Sequence, residues 1–137
     1  MRLDVDRAIE ELVRSAEQQG STVHGVWVFG SCARGEAGPE SDIDLGILCD
    51  PPLGLDVTAL IDRLGRTLGV EIDVIDLATT SATLAWEIVT SGRLALERDE
   101  RSVETFLQSA RHAAEDEAQR NRMIVLAQAP RIGAQSS

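Results

Sequence analysis

Tyrosine is missing from this chain, and phenylalanine and tryptophan supply only two residues each. An interior built from such a composition is aliphatic. Cysteine is nearly as scarce: Cys32 and Cys49 are the only two, spaced neither like metal ligands nor densely enough for a disulfide scaffold. A reducing cytoplasm is therefore the expected location. Positive charge is also in short supply, with 13 Lys and Arg against 23 Asp and Glu for a net charge of -10. That balance opposes attraction to a phosphate backbone, so no direct DNA or RNA partner is expected. The opening "MRLDVDRAIEELVRS" puts acids where a signal peptide needs an apolar core, and no apolar run approaches a membrane span. No repeat, linker or low-complexity block interrupts the chain.

What is present describes one ordinary folded domain: 137 residues, 43% hydrophobic and 26% charged, enough to bury a single core. Val5, Ile9, Leu12, Val13 and Ala16 recur at intervals of three and four, which predicts a first helix, with Asp4 or Asp6 as cap and Gly20 as its end. "VHGVWVFG" is apolar on both parities and reads as a strand covered on two sides. The loop "CARGEAGPE" follows, with a short helical turn expected just after Ser31, and "SDIDLGILC" returns to strand. Beyond Pro51 and Pro52, Val57, Leu60, Ile61, Leu64 and Leu68 mark a second helix closed by Gly69. "VEIDVIDL" is a third strand, "TTSATLAWEIVTSG" a capped helix ending at Gly92, and "RLALERD" a connector or short strand. A long helix begins near residue 100, with Val103, Phe106, Leu107 and Ala110 on one face. The domain is expected to occupy residues 1–127, with 128–137 a flexible tail. This order predicts an α/β (α+β) fold, a small mixed sheet with helices packed on it.

The chemistry is concentrated in "VFGSCARGEAGPESDIDLGIL". In a strand, residues two apart share a face, so Asp42 and Asp44 project together while Ile43 and Leu45 face the opposite layer. Two like charges held side by side repel unless a cation lies between them. Oxygen ligands of this kind suit Mg2+ or Mn2+, which commonly reach a nucleotide's phosphates as further ligands. Asp73 in "VEIDVIDL" converges on the pair only if its strand lies beside the first two; Asp76 would then point away, and Glu71 would be solvated. Gly30 admits a phosphate close to the backbone, and the Ser31 hydroxyl with adjacent N–H groups donates to its oxygens. Arg34 reaches the same anion through its planar fork. Phosphate anchor, metal and acids together describe transfer of a phosphorus-centred group. Taken singly each feature is ordinary, since an isolated D-x-D is most often a solvated edge and an isolated G-S most often a loop. The order of the whole motif carries the argument.

"GSCARGEAGPESDIDL" resembles the G-S-x10-D-x-D signature of the DNA polymerase β-like nucleotidyltransferases, and its "ARGE" and "SDIDL" are similar to the minimal nucleotidyltransferases, called MNT. Chain length, "VEIDVIDL" and the helical part with "EIVTSGRLALERD" resemble the MNT antitoxins paired with HEPN ribonuclease toxins. The resemblance implies an adenylyltransferase that takes ATP and moves AMP onto a tyrosine of its HEPN partner, silencing the toxin of a type VII toxin–antitoxin pair. It implies that Gly30 and Ser31 hold the triphosphate, that Asp42 and Asp44 ligate Mg2+ or Mn2+, and that Asp73 completes the metal site and helps activate the acceptor hydroxyl. Arg34 and Ser41 are counted with the nucleotide-contacting residues, and Cys32 occupies a position that varies among relatives. Without a tyrosine of its own, the chain must find a tyrosine acceptor on a partner. Two other readings stand beside this one: a small-molecule nucleotidyltransferase like the aminoglycoside-modifying relatives, and a non-catalytic antitoxin that neutralises a basic partner by binding.

Overall fold

The computed structural model describes residues 2–30, 42–54 and 57–136. Ser31, Arg34 and Ser41, like the short turn expected after Ser31, lie outside the described residues. The elements follow in the order α1 (Arg2–Gln18), β1 (Thr22–Phe29), β2 (Ile43–Asp50), α2 (Val57–Leu68), β3 (Ile72–Asp76), α3 (Ala82–Ser91), β4 (Arg93–Glu97) and α4 (Glu100–Ser136). The strands form one mixed sheet in the order β3-β2-β1-β4. β2 is antiparallel to β1, β4 is antiparallel to β1, and β3 is parallel to β2.

Two apolar layers cover the sheet. On one face, Val5, Ile9, Leu12 and Val13 of α1 and Leu60 and Leu64 of α2 pack on Val26, Val28, Ile43, Leu45, Ile47, Ile72 and Val74. On the other, Ala85 and Ile88 of α3 and Val103 of α4 pack on Trp27 and Leu48. The double coverage explains why β1 is apolar on both parities. It also requires a device that the sequence pattern hides. Val23 lies on the α1 side with Val26 and Val28 although it is an odd number of residues from each, and the pairing explains it: Val23 meets Cys49 but Gly25 meets Leu48, so His24 is the extra residue of a bulge. The His24 carbonyl, turned to the β4 side, accepts the N–H groups of Arg98 at 2.9 Å and Asp99 at 3.3 Å.

Helix ends are set by local chemistry. Gly20, at φ +92°, terminates α1, with the Ser21 N–H donating to the Ala16 carbonyl and the Gly20 N–H to that of Glu17, both at 3.0 Å; the left-handed residue lets the chain fold back over the last carbonyls. The Ser81 hydroxyl caps α3 by accepting from the Leu84 N–H at 3.2 Å. Asp99 caps α4, accepting from the Ser102 N–H at 3.1 Å and the Ser102 hydroxyl at 2.9 Å. Two expectations shift. Asp4 and Asp6 do not cap α1, because the helix already begins at Arg2 and both fall in its opening turns, where acids still suit the helix dipole. α4 does not stop at 127 but stays helical to Ser136. The apolar stripe ends well before that, but Ala, Gln, Arg, Met and Leu between 118 and 129 are good helix formers whether or not a stripe guides them.

Hydrogen bonds from Ser102, with a contribution from nearby His24, hold the Asp99 carboxyl below its ordinary range. A carboxylate with a lowered folded-state pKa contributes stability above its unfolded value and loses it as pH falls. Chemical unfolding of the chain should therefore show less acid sensitivity when Asp99→Ala is introduced, the variant being the less stable of the two near neutrality. In the sheet, Leu45→Ala is expected to cost about 2–5 kcal/mol in urea unfolding, since Leu45 is fully enclosed and the cavity would fall in the layer beneath Asp44.

Candidate active site

Three strand ends meet at one end of the sheet. β1 ends at Phe29, β2 begins beside it, and β3 begins beside β2 because it runs parallel. The Ile43 N–H donates to the Glu71 carbonyl at 2.9 Å, which fastens the starts of β2 and β3 together. β2 is the central carrier: Ile43, Leu45, Ile47 and Cys49 enter the α1–α2 layer, and Asp44, Gly46 and Leu48 alternate onto the opposite face. Burial of the first set anchors the second. Asp42 immediately precedes the strand and is exposed, Asp44 is half-buried, and Asp73 is exposed.

The pairing register decides whether the third acid belongs. Asp44 is the direct partner of Asp73 across the parallel β2–β3 ladder, and direct partners in a sheet project to the same face. Asp73 thus joins Asp44 on the α3 side, while Ile72 and Val74 go to the opposite core. The electrostatics agree with that placement: the Asp44 carboxyl is pushed above its ordinary range, first by burial, then by the charge of Asp73, then by that of Asp42. Asp73 and Asp42 therefore both lie near enough to act on Asp44. Among the described residues, the salt bridges leave Asp44 and Asp73 without a cationic partner, and no three acidic, His or Cys groups already enclose a common point as a cage. What they form is one wall of carboxylate oxygens. A hard divalent cation fits that donor set, with its remaining positions left to water and substrate phosphates.

Gly30 faces the same wall. Its φ of +71° is a left-handed conformation that side chains resist, and a Cβ there would run into the Asp44 carboxylate. The glycine serves the acid as well as the approach to the backbone, a contact that its place after β1 in the sequence does not reveal. Two further glycines shape the packing of α3 behind this wall. Gly46 would place a Cβ 3.1 Å from Ile88 Cγ2, and Gly92 one 2.8 Å from the Val28 carbonyl, so Gly46 keeps α3 close against β2, the strand that carries Asp44, and Gly92 keeps the end of α3 close against β1. An isolated glycine inside an apolar strand is the signal that could have flagged Gly46.

The remaining acids separate as expected. Asp76 turns to the other side, where its carboxylate accepts from the Leu53 N–H at 2.8 Å and the Ala78 N–H at 3.1 Å, bracing the loop after β2 and the turn after β3. Glu71 is exposed at the head of β3. Cys49 is a buried thiol whose pKa is pushed up to about 11, chiefly by burial and next by Asp76; it is inert packing beneath the sheet.

Because burial and like charge both disfavour ionised Asp44, its stabilising influence on the metal-free chain is confined to acid pH and is lost as pH rises through its raised folded-state value. Asp44→Asn is accordingly expected to melt higher than the parent at neutral pH in a chelator, with the difference closing below the ordinary carboxylate range. Gly30→Ala should lower the melting temperature at both pH values, because its strain is steric rather than ionic.

Residues 10–101 match the polymerase β nucleotidyltransferase family. A Haemophilus influenzae protein described as a probable protein adenylyltransferase MntA is 33% identical over 108 residues, covering 75% of this chain and 91% of its own length. Among solved structures, a toxin–antitoxin with AMP-PNP superposes at a TM-score of 0.71 and 21% identity, covering 88% of this chain and 96% of that one. A tri-AMPylated Shewanella oneidensis HEPN toxin in complex with MNT antitoxin gives a TM-score of 0.71 at 20% identity, with 93% and 97% covered; at this identity both bear on the fold alone. With the signature strands, the acid-bearing register and these matches in agreement, the chain belongs to the polymerase β nucleotidyltransferase family, as a homologue of the MntA adenylyltransferases.

Proposed function

We propose that this chain is a metal-dependent protein adenylyltransferase that moves AMP from ATP onto a tyrosine of a HEPN ribonuclease toxin and so acts as that toxin's antitoxin. The observation that carries the reading is the pairing of Asp44 with Asp73 across the β2–β3 ladder, with Asp42 near enough to act on Asp44 and Gly30 against it. Kinship with a probable protein adenylyltransferase supports the reaction class, and the fold shared with the antitoxin of a complex whose HEPN toxin is tri-AMPylated supports the acceptor. The absence of tyrosine from this chain places a tyrosine acceptor on another protein.

Asp42 and Asp44 would hold Mg2+ or Mn2+, with Asp73 completing the set. Such an ion, when bound, neutralises the acids and draws charge from the α-phosphate and the departing pyrophosphate. Gly30, with Ser31, positions the triphosphate at the end of β1, and Arg34 and Ser41 are assigned to its oxygens. Asp73, on the exposed side of the pair, takes the proton of the acceptor hydroxyl. The acceptor oxygen forms a bond to the α-phosphorus as the bond from that phosphorus to the bridging oxygen breaks, and pyrophosphate leaves. Site of action in the cytoplasm is part of the same proposal; among the described residues no helix is long and apolar enough to cross a membrane.

Incubation with labelled ATP, Mg2+ and the HEPN protein encoded beside it is expected to label that protein. Asp42→Asn with Asp44→Asn should reduce transfer by roughly a hundredfold or more, since several kcal/mol of charge stabilisation are removed, while the circular dichroism of the fold is kept. Neutralisation of the toxin that survives the double substitution unchanged would instead establish the binding-only antitoxin.

A further inference from the structure

The acid-bearing face is ordered in two cross-strand rows. Phe29 of β1 is paired with Asp44 of β2, and Asp44 with Asp73 of β3; direct partners share a face, so this row reads aromatic, acid, acid from β1 to β3. The row behind it holds Trp27, Gly46 and Ile75. Trp27 is enclosed, and the space over Gly46 is taken by Ile88 and Leu77. Ile75 packs against the edge of that layer but is only partly buried. It shares its face with the exposed Asp73, two residues along the same strand and so about 6.6 Å away by strand rise.

We propose that Ile75 selects the acceptor: the ring of the tyrosine that receives AMP lies on Ile75 while its hydroxyl meets Asp73. The inference rests on the adenylyltransferase reading and adds to it the feature that favours a phenol over an aliphatic alcohol. In-line transfer puts the entering oxygen opposite the departing one. With the triphosphate at Gly30, at the end of β1, pyrophosphate departs on the β1 side of Asp44. The acceptor therefore enters on the β3 side, two strand spacings or about 10 Å from β1, where Asp73 and Ile75 stand. The tyrosine oxygen bonds to the α-phosphorus as pyrophosphate leaves, and the phenol proton passes to Asp73.

The β3 side is open to such an acceptor. β3 is an edge strand, and among the described residues no further strand pairs with its outer side. On the acid-bearing face α3 packs most closely on β1 and β4. A tyrosine carried by a large partner needs an open edge of this kind rather than an enclosed pocket. The separation of Asp73 from Ile75 is close to the reach of a phenol side chain from its hydroxyl to its Cβ, so the ring covers Ile75 when its oxygen is at the carboxylate. A serine or threonine hydroxyl is borne on the Cβ itself and leaves Ile75 bare. Because the ring contact is the same before and during transfer, it acts on acceptor binding more than on the chemical step.

The test follows labelled AMP onto the HEPN protein encoded beside the chain, using the parent, Ile75→Thr and Ile75→Leu. Threonine keeps the branched shape that suits a strand but removes apolar surface, whereas leucine keeps the surface. Ile75→Thr is expected to raise the KM for the toxin roughly tenfold, the worth of a small apolar contact, with kcat and the KM for ATP held, and Ile75→Leu should stay near the parent value. Transfer to a toxin whose modified tyrosine is replaced by serine should be the same with Ile75→Thr as with the parent. A KM for the toxin indifferent to Ile75→Thr, a KM for ATP that rises with it, or an equal loss on tyrosine and serine would each overturn this inference alone. A parent chain that labels no protein would overturn the adenylyltransferase reading and this inference with it.

Discussion

The parallel pairing of β2 with β3 is the constraint on which the rest of the molecule depends. It sets Asp44 opposite Asp73, and a slip of one residue would send Asp73 into the apolar layer and turn Ile72 and Val74 outward. Burial of Ile43, Leu45, Ile72 and Val74 on the α1–α2 side makes such a slip expensive. The core thus enforces the position of acids that take no part in it. Those acids oppose one another, as the raised Asp44 carboxyl records, so the fold holds a repulsive arrangement in place by means of its hydrophobic far side.

The same division of labour runs through the second layer. α3 lies on the acid-bearing face, close to β1 and β2 because Gly46 and Gly92 carry no Cβ. Ile88 and Leu77 fill the space that Gly46 leaves, and Trp27 closes the layer against Phe106 with their ring centroids 6.4 Å apart. In a chain with four aromatic residues, two are spent on this contact, where α4 is fixed to the sheet. Leu107, Ala110 and Ala114 continue that packing along α4, and beyond Glu117 its charges change sign.

Membership of the polymerase β nucleotidyltransferase family rests on evidence independent of this geometry, and the geometry then says how the family's chemistry would be arranged here. The toxin-directed reaction draws on kinship and on the missing tyrosine. The small-molecule alternative would need room for an acceptor beside the acids, and the helical part after β3 is instead committed to packing: α3 lies on β1 and β2, and α4 lies on α3.

Much of the fold was legible in the order of residues because it is governed by local rules. Period-two alternation marked β2; three- and four-residue spacing marked α1, α2 and the start of α4; Gly20, Gly69 and Gly92 marked helix ends through hydrogen bonds that reach only a few residues. The bulge at His24 was not legible, since it is defined by a partner strand some twenty-five residues away. Nor was the Gly30–Asp44 contact, which joins two strand ends across an intervening loop. The extent of α4 was misjudged because periodicity reports burial, and a helix can continue where nothing covers it. By itself the sequence determined which residues could serve as ligands and which elements would carry them. Only the tertiary structure decided that Asp73 stands beside Asp44, because strand order and register arise from the burial of both faces at once, and no local pattern encodes the neighbour across a ladder.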